Sequence, residues 1–205
     1  MTTLKPLPRS FYKSSADAVA PQLLGHWLLR KFPDGVCGGE IVEVEAYLTD
    51  DPACHAFSGP TARNRTMFGE PGHAYVYFIY GCHYCVNAVC QLAGVGEAVL
   101  IRAIEPSFGE NTLRTHRSSL LARHLTNGPG KISQALRIDR SLDGVDLCDP
   151  DSILIIAKNP QRKVFCEKRG PLLASPRIGI TQATTAPFRF FLAGSPYLSR
   201  GKKDV

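Results

Sequence analysis

No apolar run in this chain approaches the roughly 20 residues that a transmembrane helix needs. The opening residues, Met1-Thr2-Thr3-Leu4-Lys5-Pro6, lack the apolar centre of a secretory signal. These two absences predict a soluble intracellular protein. Seven cysteines is an odd number without secretory context, so reduced thiols are expected rather than a disulfide framework. There is no internal repeat, and no Pro/Gly/Ser-rich linker divides the chain. One domain spanning 1–205 is therefore expected, ordered over about 10–199 and ending in a basic tail with Lys202 and Lys203. A phosphate-binding Walker loop is absent too, because Gly128-Pro129-Gly130-Lys131 lacks the required glycine spacing.

What is present is a chain of 205 residues, enough to bury a substantial core. With 44% hydrophobic and 20% charged residues it is not of disordered composition. Net charge is +6, which suits either simple solubility or an acidic partner such as nucleic acid. Arg63 and Arg65 share one segment, and Arg114, Arg117 and Arg123 share another.

Residues 15–24 predict a short helix stopped by Gly25. Strands are expected at 27–32, 39–47, 74–80, 84–91, 98–105, 153–157, 177–180 and 188–193, with helices at 110–125 and 130–138. Between 48 and 72 lies a long polar loop of the kind that carries function or disorder. Many strands joined by short turns predict an α+β fold. Its core would be a mostly antiparallel, curved β-sheet flanked by a few helices.

Two strands carry the chemistry. In Val42-Glu43-Val44-Glu45-Ala46-Tyr47 the period of two turns both glutamates and the tyrosine to one face, opposite the valines. That polar face meets solvent or lines a pocket. Arg102, inside the apolar run Val99-Leu100-Ile101-Arg102-Ala103, favours the pocket, because a buried charge needs a partner. A carboxylate held there could act as general base. The run Tyr75-Val76-Tyr77-Phe78-Ile79-Tyr80 supplies aromatic faces of the kind that stack on an unstacked base.

Cys82-His83-Tyr84-Cys85 leaves a zinc site conceivable, with His55, His73 and Cys90 as further ligands. Against it, a straight strand sends residues three apart to opposite faces, a second CxxC is absent, and the H-x-E of zinc deaminases is missing. No metal is expected. Gly128-Pro129-Gly130-Lys131 before a helix serves equally as a plain turn or as a phosphate contact.

Taken in order, Glu40–Leu48, Arg63–Phe68, Tyr75–Gly81, Asn87, Leu100–Pro106, Gly128–Lys131, Phe188-Arg189-Phe190 and Gly194-Ser195-Pro196 resemble the alkyladenine (3-methyladenine) DNA glycosylase family. The resemblance covers roughly 23–199. It implies a monofunctional glycosylase that flips alkylated or deaminated purines from double-stranded DNA and hydrolyses the glycosidic bond, initiating base excision repair. By that resemblance Glu45 activates the water and Arg102 helps to position it. Tyr47, His55 and Tyr77 form the base pocket, and Asn87 excludes normal guanine. Tyr80 enters the minor groove. Arg63, Arg65, Cys82, His83, Gly130 and Lys131 contact DNA, and backbone around Ile178 holds the water. The reading carries no cofactor, no membrane association and a monomer, cytoplasmic in a bacterium or nuclear in a eukaryote. A non-catalytic DNA-binding module and a zinc-dependent nucleic-acid enzyme remain the alternatives at this stage.

Overall fold

A computed structural model describes residues 4–118 and 121–199. The expected Lys202 and Lys203 tail lies outside the described residues. One antiparallel sheet of eight strands organises the chain, in the order β3-β4-β5-β2-β1-β6, with β8 and β7 completing it beside β2. These strands are β1 (Trp27–Phe32), β2 (Gly35–Tyr47), β3 (Ala74–Ile79), β4 (His83–Val89), β5 (Ala98–Phe108), β6 (Leu154–Ala157), β7 (Leu172–Ser175) and β8 (Arg189–Leu192). Four helices accompany them: α1 (Ala16–Leu23), α2 (Glu110–Arg117), α3 (Pro129–Ala135) and α4 (Arg162–Lys168). The α+β expectation holds.

The long strand β2 is the spine. One edge pairs with β5 over nearly its whole length. Its other edge pairs first with β1, over Gly35–Glu40, and then with β8, over Glu43–Glu45. The β2–β5 register shifts around this change of partner: Ile41 faces Ile104, Glu43 faces Ala103, and Val44 faces Ile101. Val42 and Arg102 are left as unpaired extra residues. Such bulges bend a sheet and re-aim side chains. Here they bring Glu43, Glu45 and Arg102 together.

Strand alternation then separates two clusters. Val44, Ala46, Val76, Val86, Ala88, Val99 and Ile101 belong to the main core, into which α1 and α3 insert Val19, Leu23, Ile132 and Ala135. Tyr75, Tyr77, Cys85 and Leu100 form a second cluster with Cys54, Ala56 and Met67 from the long loop. The first face builds the fold; the second builds a site. Helix α1 is tied to the sheet from a distance, since the buried Glu97 carboxylate accepts the Ala16 N–H at 2.8 Å.

Two expectations need correction, and two elements were not foreseen. Residues 177–180 form an irregular segment bent at Ile178 and Gly179 and not a strand, with Arg177 committed to side-chain contacts described below. The helix expected over 110–125 stops at Arg117, where Ser118 adopts φ 50 in the left-handed region, and a 3-10 turn follows at Ala122–His124. Helix α4 and strand β7 were not anticipated. Both are short, and β7 exposes Leu172 and Leu173, so neither carries the apolar periodicity of a buried element.

Candidate active site

A cavity of about 360 Å³ opens on the second face of the sheet. Tyr75, Tyr77 and Ile79 of β3, Cys85 and Asn87 of β4, and Leu100 and Arg102 of β5 form its floor. Tyr47 closes one end; His55 and Met67 of the long loop and Ile178–Ile180 supply the rest. The hairpin registers explain the grouping. Tyr75 pairs with Asn87, Tyr77 with Cys85, and Asn87 with Leu100, so inward-facing residues fall in adjacent rows.

Aromatic contacts stiffen this wall. Tyr75 and Tyr77 stack with centroids 5.4 Å apart, and His55 stands edge-on to Tyr77 at 4.6 Å. His55 Nδ1 lies 3.0 Å from the Tyr75 hydroxyl. Burial first, and the Arg63 charge second, lower the His55 pKa below its ordinary 6.5, so the ring is uncharged at neutral pH. Burial pushes the Tyr75 hydroxyl up to about 12 and the Cys85 thiol to about 11, which keeps both protonated. Asn87 is buried and donates from Nδ2 to the Tyr75 carbonyl at 2.9 Å, which fixes its amide orientation.

Glu45 lies behind Tyr47, bonded to its hydroxyl and wholly removed from solvent. Its Oε2 accepts from the Tyr47 hydroxyl at 2.9 Å and from Arg102 Nη1 at 3.1 Å. Oε1 accepts the Ile178 N–H at 2.8 Å. A carboxylate offers about four acceptor positions. Three are filled, and one remains on Oε1. Backbone around Ile178, expected to hold the water, here donates its amide to the carboxylate itself.

The loop is held by residues whose roles were not legible beforehand. Arg177, buried, forms an ion pair with Asp51, donates to the Ala46 carbonyl at 2.9 Å and lies over the Tyr47 ring at 4.6 Å. It thereby locates both Tyr47 and the adjoining Ile178 amide. Asn64, buried between exposed Arg63 and Arg65, donates to the His55 carbonyl at 2.7 Å and the Gly59 carbonyl at 3.1 Å. Its Oδ1 accepts the Thr61 N–H at 2.6 Å. Nothing in the spacing of the long loop pointed to these distant partners. Glu43 did carry a signal, sharing its strand face with Glu45.

At the cavity mouth Tyr80 is 77% exposed, on the turn between β3 and β4. Its φ of 54 lies in the left-handed region, followed by Gly81 at 67. Arg63 Nη2 donates to the Phe78 carbonyl at 3.2 Å, which joins the arginine to this hairpin. Beyond Tyr80 a second cavity of about 390 Å³ is lined by His83, Asn127, Gly130 and Lys131, among others. A side chain at 130 would meet the His83 ring at 3.0 Å, so Gly130 permits that packing. Lys131 donates to Asn127 Oδ1 at 2.7 Å. Cys82 is exposed while Cys85 is buried in the pocket floor, so the CxxC cysteines face different environments. Among the described residues no three His, Cys, Asp or Glu side chains gather as metal ligands, and no helix is long and apolar enough to cross a membrane.

The cavity is thus walled by tyrosines, with a buried carboxylate bonded to Tyr47, Arg102 and Ile178 of its lining. Comparison with known proteins supplies the family. The model for methylpurine-DNA glycosylase matches residues 10–196, and the chain belongs to that family. A Rhizobium meliloti protein named "Putative 3-methyladenine DNA glycosylase" is 47% identical over 93% of this chain and 94% of its own length. Relatives of the same name from Carboxydothermus hydrogenoformans and Nitrosospira multiformis are 43% and 48% identical. They align over 95% and 93% of this chain and over 98% and 91% of their own lengths.

Proposed function

We propose that this protein excises alkylated and deaminated purines from duplex DNA, the class of 3-methyladenine, 7-methylguanine, hypoxanthine and ethenoadenine. The base is flipped into the Tyr47–His55–Tyr77 cavity while Tyr80 fills the space it leaves. Glu45 takes a proton from water as the oxygen attacks C1′ of the sugar. The C1′–N bond breaks, the base departs with the bonding electrons, and an abasic sugar bearing a new C1′ hydroxyl remains. That abasic product is what base excision repair processes further.

The carrying observation is the buried Glu45 carboxylate, which accepts hydrogen bonds from Tyr47, Arg102 and the Ile178 amide, three residues that themselves line the cavity. A cavity of about 360 Å³ falls at the small end of the roughly 300–1,000 Å³ of small-molecule clefts. Electron-rich tyrosine faces beside an uncharged His55 suit a cationic alkylated purine. Base–aromatic stacking of about 1–3 kcal/mol offsets part of the few kcal/mol that flipping costs. Asn87, fixed by the Tyr75 carbonyl, is positioned to crowd the exocyclic amine of a normal guanine. Water as nucleophile needs no lysine Schiff base, and among the described residues no lysine lines this cavity. Strand cleavage is therefore not part of the reading. Exposed Arg63 and Arg65, with His83, Gly130 and Lys131 across Tyr80, supply phosphate contacts on both sides of the flipped nucleotide.

The test is single-turnover excision from duplexes that each bear one modified purine. The wild-type protein should release at least one such base, and Glu45→Gln should bind the same duplex without releasing it. Excision by Glu45→Gln at the wild-type rate would remove this carboxylate from the reaction.

A further inference from the structure

The reaction as proposed uses Glu45, to which Arg102 is bonded, yet Arg102 makes most of its contacts elsewhere. Only Nη1 reaches Glu45. Nε donates to Glu43 Oε1 at 3.0 Å, and Nη2 donates to Ser199 Oγ at 3.1 Å. All three partners are buried.

Glu43 is the hub of this arrangement. It has no solvent exposure and accepts four hydrogen bonds. Oε1 receives Arg102 Nε, Arg189 Nε at 2.7 Å and the Ser199 hydroxyl at 2.6 Å; Oε2 receives the Ser199 N–H at 2.6 Å. The serine hydroxyl gives its single hydrogen to Glu43 and accepts from Arg102, so its donor and acceptor capacities are matched. Two glutamates and two arginines, Arg102 and Arg189, then balance in charge within a desolvated cluster, which is what burial of charge demands.

We propose that Glu43 and Ser199 are positioning residues for excision. They fix the plane of the Arg102 guanidinium so that Nη1 stays directed at Glu45 Oε2. A guanidinium bonded only through Nη1 could pivot about that bond; bonded through three donors to three acceptors it cannot. Ser199 lies 97 residues from Arg102 in sequence, so the segment after β8 completes the site. This inference rests on the glycosylase reading above. Misplacement of a reacting group by about 1 Å can cost on the order of a hundredfold in rate.

Ser199→Ala removes the hydroxyl and leaves the N–H to Glu43, and Ser199→Thr restores a hydroxyl. Glu43→Gln removes the hub charge. Each variant is measured for melting temperature, affinity for an ethenoadenine duplex, the fluorescence change on flipping, and single-turnover excision. Ser199→Ala should slow excision roughly tenfold, and Glu43→Gln between about tenfold and a hundredfold. Affinity and flipping amplitude should stay within twofold of wild type, and Ser199→Thr should recover most of the rate. Excision at the wild-type rate in both Ser199→Ala and Glu43→Gln would overturn the inference. So would parallel loss of excision, flipping and melting temperature, which is the signature of a purely structural role. Failure of the wild-type protein to excise in the same assay would instead break the glycosylase reading.

Discussion

The Tyr47 hydroxyl donates to Glu45 Oε2 at 2.9 Å, two residues along the same strand. A tyrosine expected only as a wall of the base pocket is thus also a ligand of the carboxylate. Burial raises the Tyr47 pKa above its ordinary 10, and the Glu45 charge adds to the effect, so the phenol stays protonated and keeps the hydrogen it donates to Glu45. Ring and hydroxyl are separable functions of one side chain.

Tyr47→Phe separates them. The ring, and hence stacking, is retained, so affinity for a lesion duplex should change little. Loss of a hydrogen bond to a charged group is worth about 1.5–3 kcal/mol. Single-turnover excision should therefore fall on the order of tenfold or more. An unchanged rate constant would mean that Arg102 and the Ile178 amide suffice to hold Glu45.

Tyr80 carries a different expectation, because its side chain is exposed and its backbone is strained. Tyr80→Ala should diminish the fluorescence change of an ethenoadenine duplex while thermal stability moves by no more than about 0.5 kcal/mol. Tyr80→Gly should lose the same signal yet melt higher than Tyr80→Ala, since a left-handed non-glycine residue costs about 1–2 kcal/mol. If flipping survives both substitutions, another group fills the stack.

His26 gives a pH dependence away from the site. Burial, followed by the charges of Arg162 and Lys158, lowers its pKa from 6.5 to about 4. Its Nδ1 accepts the Asn159 N–H at 3.2 Å, which requires the neutral ring. The unfolded chain therefore takes up a proton at a higher pH than the folded one. This contribution to stability is complete above about pH 6.5, declines as pH falls, and is gone near pH 4. Melting curves should show His26→Gln with a shallower fall across that interval than wild type. Parallel curves would place the native-state protonation of His26 near that of the unfolded chain.

Much of this architecture was legible before folding. The strands expected at 27–32, 74–80 and 98–105 announced themselves by β-branched and aromatic runs between turns, and the valine and glutamate faces of β2 by their period of two. The resemblance to the glycosylase family was carried by ordered strings, and the family match supports it. Residues 177–180 were misread because Ile178 and Ile180 alternate like a short strand locally. In the fold Arg177 and the Ile178 amide are drawn to Asp51 and Glu45, more than 120 residues away. Helix α4 and strand β7 were missed because their exposed apolar residues obey no burial pattern.

By itself, then, the order of residues determined which side chains could share a strand face: Glu43 with Glu45 and Tyr47, and Tyr75 with Tyr77. That follows from backbone pleating and needs no partner. Tertiary structure decided everything that depends on which strands become neighbours. The paired bulges at Val42 and Arg102 bring one arginine within reach of both glutamates, and Ser199 and Arg177 close the site from distant segments. Their placement is set by sheet register and by the need to neutralise buried charge, neither of which is a property of any local stretch of chain.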